Sequence, residues 1–212
     1  ILNAPRVIAE GRRPPAESFD AYAVTGYFAN GIGAPDKADM VRDWLQTSLA
    51  QARAQADSKG LTAVARESYI EAHRYDLATD IAAADLADGS VSGASADTVS
   101  GLLSDLLPYH AGVAKAHRLE LMMYEGGTHV VGLGPLIDEA AMTGFFSHLN
   151  YSPQMAALYD RLLQGWAQLT DAPFNAFVDV SAPGKWGSWG GLRHLGDENP
   201  RWQALAHGCG QC

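Results

Sequence analysis

Leu119-Glu120-Leu121-Met122-Met123-Tyr124-Glu125-Gly126-Gly127-Thr128-His129 sets a short apolar run directly against a carboxylate and a glycine pair. Leu119–Tyr124 reads as a buried strand, because it is short, apolar and stopped by glycine. Upstream, Phe19–Phe28 is rich in aromatic and β-branched residues and reads as another strand, ending in the Gly-Pro loop from Asn30 to Pro35. Downstream, Asn175–Val180 reads as a strand that leads into Pro183-Gly184-Lys185-Trp186-Gly187-Ser188-Trp189-Gly190-Gly191. The opening run Pro5–Gly11, stopped by Gly11 and Pro14-Pro15, reads as a fourth strand with its exit loop.

Helical spacing fills the intervals. Met40, Val41, Trp44, Leu45, Leu49 and Ala52 form one apolar stripe, with Asp36 or Asp39 available as a cap. Val99, Leu102, Leu103, Leu106, Leu107 and Val113 form another, in which Pro108 predicts a kink. From Pro153 to Leu169 the stripe is Met155, Leu158, Tyr159, Leu162, Leu163, Trp166 and Leu169, with Ser152 at the N-cap and proline in the first turn. Residues 61–87 are alanine-rich and read as helical without clear periodicity, residues 88–95 have loop composition, and a short closing helix is expected near Pro200–Ala206.

Strands alternating with helices argue for βα units and a parallel sheet. No G-x-G-x-x-G or G-x-x-x-x-G-K loop follows a strand, which counts against a nucleotide-binding sheet. Four strands are too few for a complete eight-stranded barrel. The fold expected is therefore α/β, the C-terminal part of a (β/α)8 (TIM) barrel with a helical insertion. Residues 1–212 form part of one barrel domain, 61–95 are the insertion and 207–212 a tail. The chain opens on Ile1, so a processed product or a piece of a longer protein is expected.

The 212 residues carry 15 Lys and Arg against 24 Asp and Glu, for a net charge of -9. Such a surface repels phosphate backbones, so nucleic acid is not an expected partner. No apolar run is long enough to span a membrane. Two cysteines cannot make a disulfide framework, and Cys209-Gly210-Gln211-Cys212 lacks the second pair that would complete a zinc site. No G-x-S-x-G elbow is present. Neither a cofactor nor a metal is expected.

Three strand ends carry polar or aromatic residues beside glycine: Tyr27, Glu125 and the Trp186/Trp189 loop. In a (β/α) barrel these ends open onto one mouth, where active sites are built, so residues distant in sequence should converge. A carboxylate between a buried strand and two glycines has no helix to cap, and glycine admits close approach of backbone or ligand. Glu125 can then be a nucleophile toward an anomeric carbon or a general base, with a loop salt bridge as the competing reading. Trp186 and Trp189 suit stacking on sugar faces or plugging of the barrel end. His129 suits contact with substrate or orientation of Glu125, against a purely structural role. His110 and His117 fall on a helical stripe and flank the core. Asp20 and Asp179 lie in candidate strands, where arginine pairing competes with a substrate hydroxyl.

Leu121–His129, together with Trp186-Gly187-Ser188-Trp189-Gly190 and Asp20-Ala21-Tyr22-Ala23-Val24-Thr25-Gly26-Tyr27-Phe28, resembles bacterial TIM-barrel proteins related to the retaining glycoside hydrolases. The resemblance implies that these strands are the sixth, seventh and eighth of a barrel. It implies that Glu125 is the nucleophile, that Trp186 or Trp189 floors the sugar subsite, and that Tyr27 holds the nucleophile by a hydrogen bond. Its acid/base glutamate belongs to strand four, which this chain does not contain. Retaining hydrolysis needs two carboxyls ~5–5.5 Å apart, so the chain alone should be nearly inert. The N-terminal half of the barrel, on the same or another polypeptide, is an expected partner, as is a polysaccharide or cell-wall glycan. Action on glycans would favour an extracellular or cell-surface location. The alternative is a catalytically inactive carbohydrate-binding or structural barrel domain within a larger assembly.

Overall fold

Three parallel strands, β1 (Ala21–Phe28), β2 (Glu120–Thr128) and β3 (Phe174–Ala176), lie side by side in chain order in the computed structural model, which describes residues 1–208. The protein is a mixed α/β structure built on this small sheet. Cys209 and Cys212 lie outside the described residues.

The first expected strand is a helix, α1 (Pro5–Ala9). Pro5 presets the first turn, and none of its residues is buried. A β-prone run becomes a strand only where it finds an edge, and Val7-Ile8 has none. The stripe from Met40 is α2 (Ala38–Ser58), which buries Val41, Trp44, Ala52 and Ala56. Neither expected aspartate caps it. Lys37 occupies the cap position after a 3₁₀ turn, and Asp39 pairs with Arg42 at 2.7 Å.

Residues 61–95 hold α3 (Ala63–His73) and α4 (Asp76–Asp88). Ala78, Ala82, Ala83 and Leu86 of α4 belong to the main core, where small side chains let the helix lie close to its neighbours and blur the periodicity. Asp85, fully buried, accepts hydrogen bonds from Asn30 Nδ2 (2.8 Å) and Ser92 N (2.7 Å), lacing the 88–98 loop to the exit of β1.

The Pro108 kink takes the form of a π-turn. A short α5 (Val99–Gly101) widens over Leu102–Leu106 before α6 (Leu107–His117). Proline offers no N–H to the preceding turn, and a wider turn accommodates that loss. The helix α7 (Ala140–Asn150), which buries Met142, Phe145, Phe146 and Leu149, was not anticipated. The helix α8 (Pro153–Ala167) follows, with Ser152 Oγ accepting from Met155 N at 3.2 Å as the cap. The closing helix is α9 (Pro200–Gly208).

The core lies on one side of the sheet, where Val24, Phe28, Leu121 and Met123 meet Leu107, Ala114, Tyr159 and Trp166 of α6 and α8. On the other side Ala23, Thr25, Tyr124 and Asn175 are exposed. The last expected strand is shorter than read. Phe177 N still donates to Gly126 O of β2 at 3.0 Å, but beyond it the backbone leaves β2, and Val178 and Asp179 exchange hydrogen bonds with Trp189, Gly191 and Leu192. The aromatic loop thus folds back along the strand that precedes it. Among the described residues no helix is long and apolar enough to cross a membrane.

Candidate functional site

Glu125 owes its position to a β-bulge. Along β1 and β2, Val24 lies opposite Met123 and Thr25 opposite Glu125, so Tyr124 is an extra residue without a partner. Strict alternation would put Glu125 on the same side as Leu121 and Met123, inside the core. The bulge shifts the register by one and turns Tyr124 and Glu125 together toward the open face, leaving them exposed and half-buried. The two glycines that follow serve packing. A side chain at Gly126 would strike the Phe174 ring at 2.8 Å. One at Gly127, whose φ is 132°, would meet the Tyr159 hydroxyl at 2.5 Å. That hydroxyl accepts from Thr128 N at 3.0 Å and ties β2 to α8.

Tyr27, two residues beyond Thr25 on the same face, sits beside Glu125. Its hydroxyl is pushed up to about 12, first by burial and then by the charge and hydrogen-bonding reach of the Glu125 carboxylate. Tyr27 therefore remains a proton donor at neutral pH, suited to holding a carboxylate in one orientation.

An aromatic cluster covers the pair. Ring centroids of Tyr27 and His129 are 5.7 Å apart, those of His129 and Trp189 5.1 Å, and those of Tyr27 and Trp189 6.2 Å in an edge-on arrangement. Phe177 closes the group edge-on to Trp189 at 5.8 Å. His129 is placed by its backbone, whose N–H donates to Phe28 O at 2.8 Å. Trp189 is placed by its indole N–H, which donates to Trp186 O at 3.0 Å, and by Gly187, where any side chain would meet the indole at 2.6 Å.

Four of the five residues singled out from the sequence thus meet: Tyr27, Glu125, His129 and Trp189. Trp186 contributes its carbonyl, while its exposed ring carries Lys185 Nζ 5.0 Å above it. His110 hydrogen-bonds Tyr22 at 2.8 Å on the helix-covered side. Asp20 and Asp179 make no arginine ion pair among the described residues. No group of three or more His, Cys, Asp or Glu among the described residues could hold a metal ion.

Three features were missed from sequence. Phe177 was read only as a strand residue. A cavity of ≈ 260 Å³ beside the cluster is lined by Thr25, Tyr27, Phe28, Ala29, Asp97, Leu106 and His129. The third is Arg201, fully buried, whose guanidinium donates to Ser188 O (2.9 Å) and Gly190 O and lies 4.5 Å over the Tyr151 ring. This arginine anchors the Trp186–Gly190 loop from below. Nothing local in the sequence marks it, because its partners are carbonyls whose identity no side chain reveals. Larger cavities of ≈ 680 Å³, ≈ 640 Å³ and ≈ 320 Å³ are lined by none of Tyr27, Glu125, His129 or Trp189.

No family model matches the chain, and no curated protein or solved structure matches it.

Proposed function

We propose that the chain is the C-terminal part of a (β/α)8 barrel that acts on a polysaccharide or cell-wall glycan by a retaining mechanism, with Glu125 as nucleophile. The observation that carries this reading is the bulge in β2, which takes a carboxylate out of the core and sets it beside a protonated tyrosine and an aromatic surface. The parallel order of the three strands and the helix cover on one face are the pieces a barrel wall requires. Outer edges of β1 and β3 have no strand partner among the described residues, and closing a barrel would pair both.

In the proposed reaction a Glu125 carboxylate oxygen attacks the anomeric carbon as the bond to the leaving oxygen breaks. A second carboxyl, from the N-terminal half, protonates that oxygen. Water, deprotonated by the same group, then displaces Glu125 from the sugar. Tyr27 fixes which carboxylate oxygen faces the sugar, while the Trp189 indole offers an aromatic face to its ring and His129 packs tilted against that indole.

Binding without chemistry is the second reading. It is favoured by the exposure of Trp186, 67%, and by the open face on which Glu125 lies. The test is an intact mass spectrum before and after incubation with 2-deoxy-2-fluoro glycosides, which trap a retaining nucleophile. An adduct on the peptide containing Glu125 supports the nucleophile. No adduct when the complementary half is present favours binding alone.

A further inference from the structure

The cavity at the exit of β1 brings Asp97 to the same space as Tyr27 and His129. We infer that this cavity is a subsite for one neutral sugar ring, with the Asp97 carboxylate accepting hydrogen bonds from adjacent ring hydroxyls. The inference rests on the carbohydrate reading and goes beyond it by naming the residue and the place. The cavity, ≈ 260 Å³, is far larger than the roughly 10–15 Å³ that admits a single water, so it has room for a hydroxylated six-membered ring.

The lining matches such a ring in kind. Leu106, 41% exposed, and the Tyr27 ring are apolar surfaces for C–H faces. Thr25, His129 and Asp97, which also line the cavity, carry a hydroxyl, an imidazole and a carboxylate. An ionised carboxylate only accepts, and its two oxygens match the spacing of two neighbouring hydroxyls. Asp97 is exposed and forms no ion pair among the described residues, so its oxygens are open to a ligand.

The backbone around Asp97 is held as a binding residue requires. Its carbonyl accepts from both Ala29 N (3.0 Å) and Asn30 N (3.2 Å), which fastens it to the end of β1. The next residue, Thr98, caps the following helix, its Oγ1 accepting from Gly101 N at 3.0 Å. Asp97 itself adopts φ of 58°, a conformation that Asp, Asn and Gly tolerate better than other residues.

That backbone dictates the variants. Asp97→Asn removes the charge and keeps shape and conformation. Asp97→Gly removes the side chain at a φ glycine accepts freely. Both are titrated as the full chain with neutral mono- and disaccharides, followed by calorimetry and Trp fluorescence. Hydrogen bonds to a charged group set the expected scale: Asp97→Gly weakens binding roughly ten- to hundredfold, and Asp97→Asn by less. If the parent binds a neutral sugar and both variants match it within about twofold, the subsite is refuted and the carbohydrate reading stands. If the parent binds none, both fall. A variant with an altered far-ultraviolet spectrum is replaced in the comparison by the other.

Discussion

Replacing Arg201 by methionine tests whether a buried charge without a carboxylate partner holds the aromatic loop. Its side chain is fully buried, yet its hydrogen-bond partners are neutral: Ser188 O, Gly190 O and, at 3.5 Å, Asn150 Oδ1, with Nε unpartnered. Methionine fills most of the volume and removes the donors. Two charge-assisted hydrogen bonds contribute about 1.5–3 kcal/mol each. Contact with the Tyr151 ring at 4.5 Å adds about 2 kcal/mol in a desolvated setting. Gly190 O keeps a donor in the Tyr151 hydroxyl at 3.2 Å, which leaves Ser188 O stranded at a cost of about 1–3 kcal/mol. Against these losses, removing a buried charge returns several kcal/mol of desolvation energy. The net expectation is a destabilisation of about 2–4 kcal/mol, which at this chain length lowers Tm by roughly 5–15 °C. Chemical denaturation of Arg201→Met gives the free energy, and the near-ultraviolet circular dichroism of the tryptophans reports whether Trp189 has moved. Arg201→Lys keeps the charge but cannot bridge both carbonyls, so it should fall between the two. Equal stability of Arg201→Met and the parent, within about 1 kcal/mol, would show that the burial cost cancels the contacts and refute the anchoring role.

Two titrations follow from the same region. In a spectroscopic titration at alkaline pH one tyrosine should ionise near 12, and Glu125→Gln should lower that value, with burial keeping it above 10. Because the folded value lies above the unfolded one, the stability associated with Tyr27 is fully present below pH 10 and is lost as pH rises toward 12; an unchanged titration in Glu125→Gln would break the link between the two residues. The Arg193 guanidinium, then the Arg193 N–H and the Asn199 side chain, hold the Asp197 carboxyl well below the usual carboxylate range. A depressed value means that this stability is present above the ordinary aspartate pKa and is lost as pH falls below about 4. Urea midpoints between neutral and acid pH should therefore drop less steeply in Asp197→Asn than in the parent.

Patterns of local periodicity made much of the architecture legible. The stripe in α8 and its Ser152 cap are visible because an exposed amphipathic helix must repeat near 3.6 residues and close its first turn with a side chain. Helix α7 carries the same kind of stripe, Met142, Phe145, Phe146 and Leu149, and counting it would have found the helix. Pro5–Ala9 misled because strand propensity has no effect without a neighbouring edge. The strand at Asn175–Val180 was read too long because its residues leave β2 to pair with their own downstream loop.

By itself the sequence determined which segments become strands and helices at the centre of the molecule. It also marked Tyr27, Glu125 and the tryptophan loop as unusual, since each stands next to glycine at a strand end, and His129 by its place four residues after Glu125. Only the tertiary structure decided which way these side chains point. Alternation along β2 would bury Glu125, and the one-residue bulge opposite Val24–Thr25 reverses that outcome. The choice between Trp186 and Trp189 likewise depended on a backbone return and on carbonyls held by Arg201. Asp97 joined the site because two backbone hydrogen bonds at the end of β1 draw a distant loop against it. Backbone carbonyls and N–H groups are the same at every residue, so the pairings they make are invisible in a list of side chains and exist only once the chain has folded.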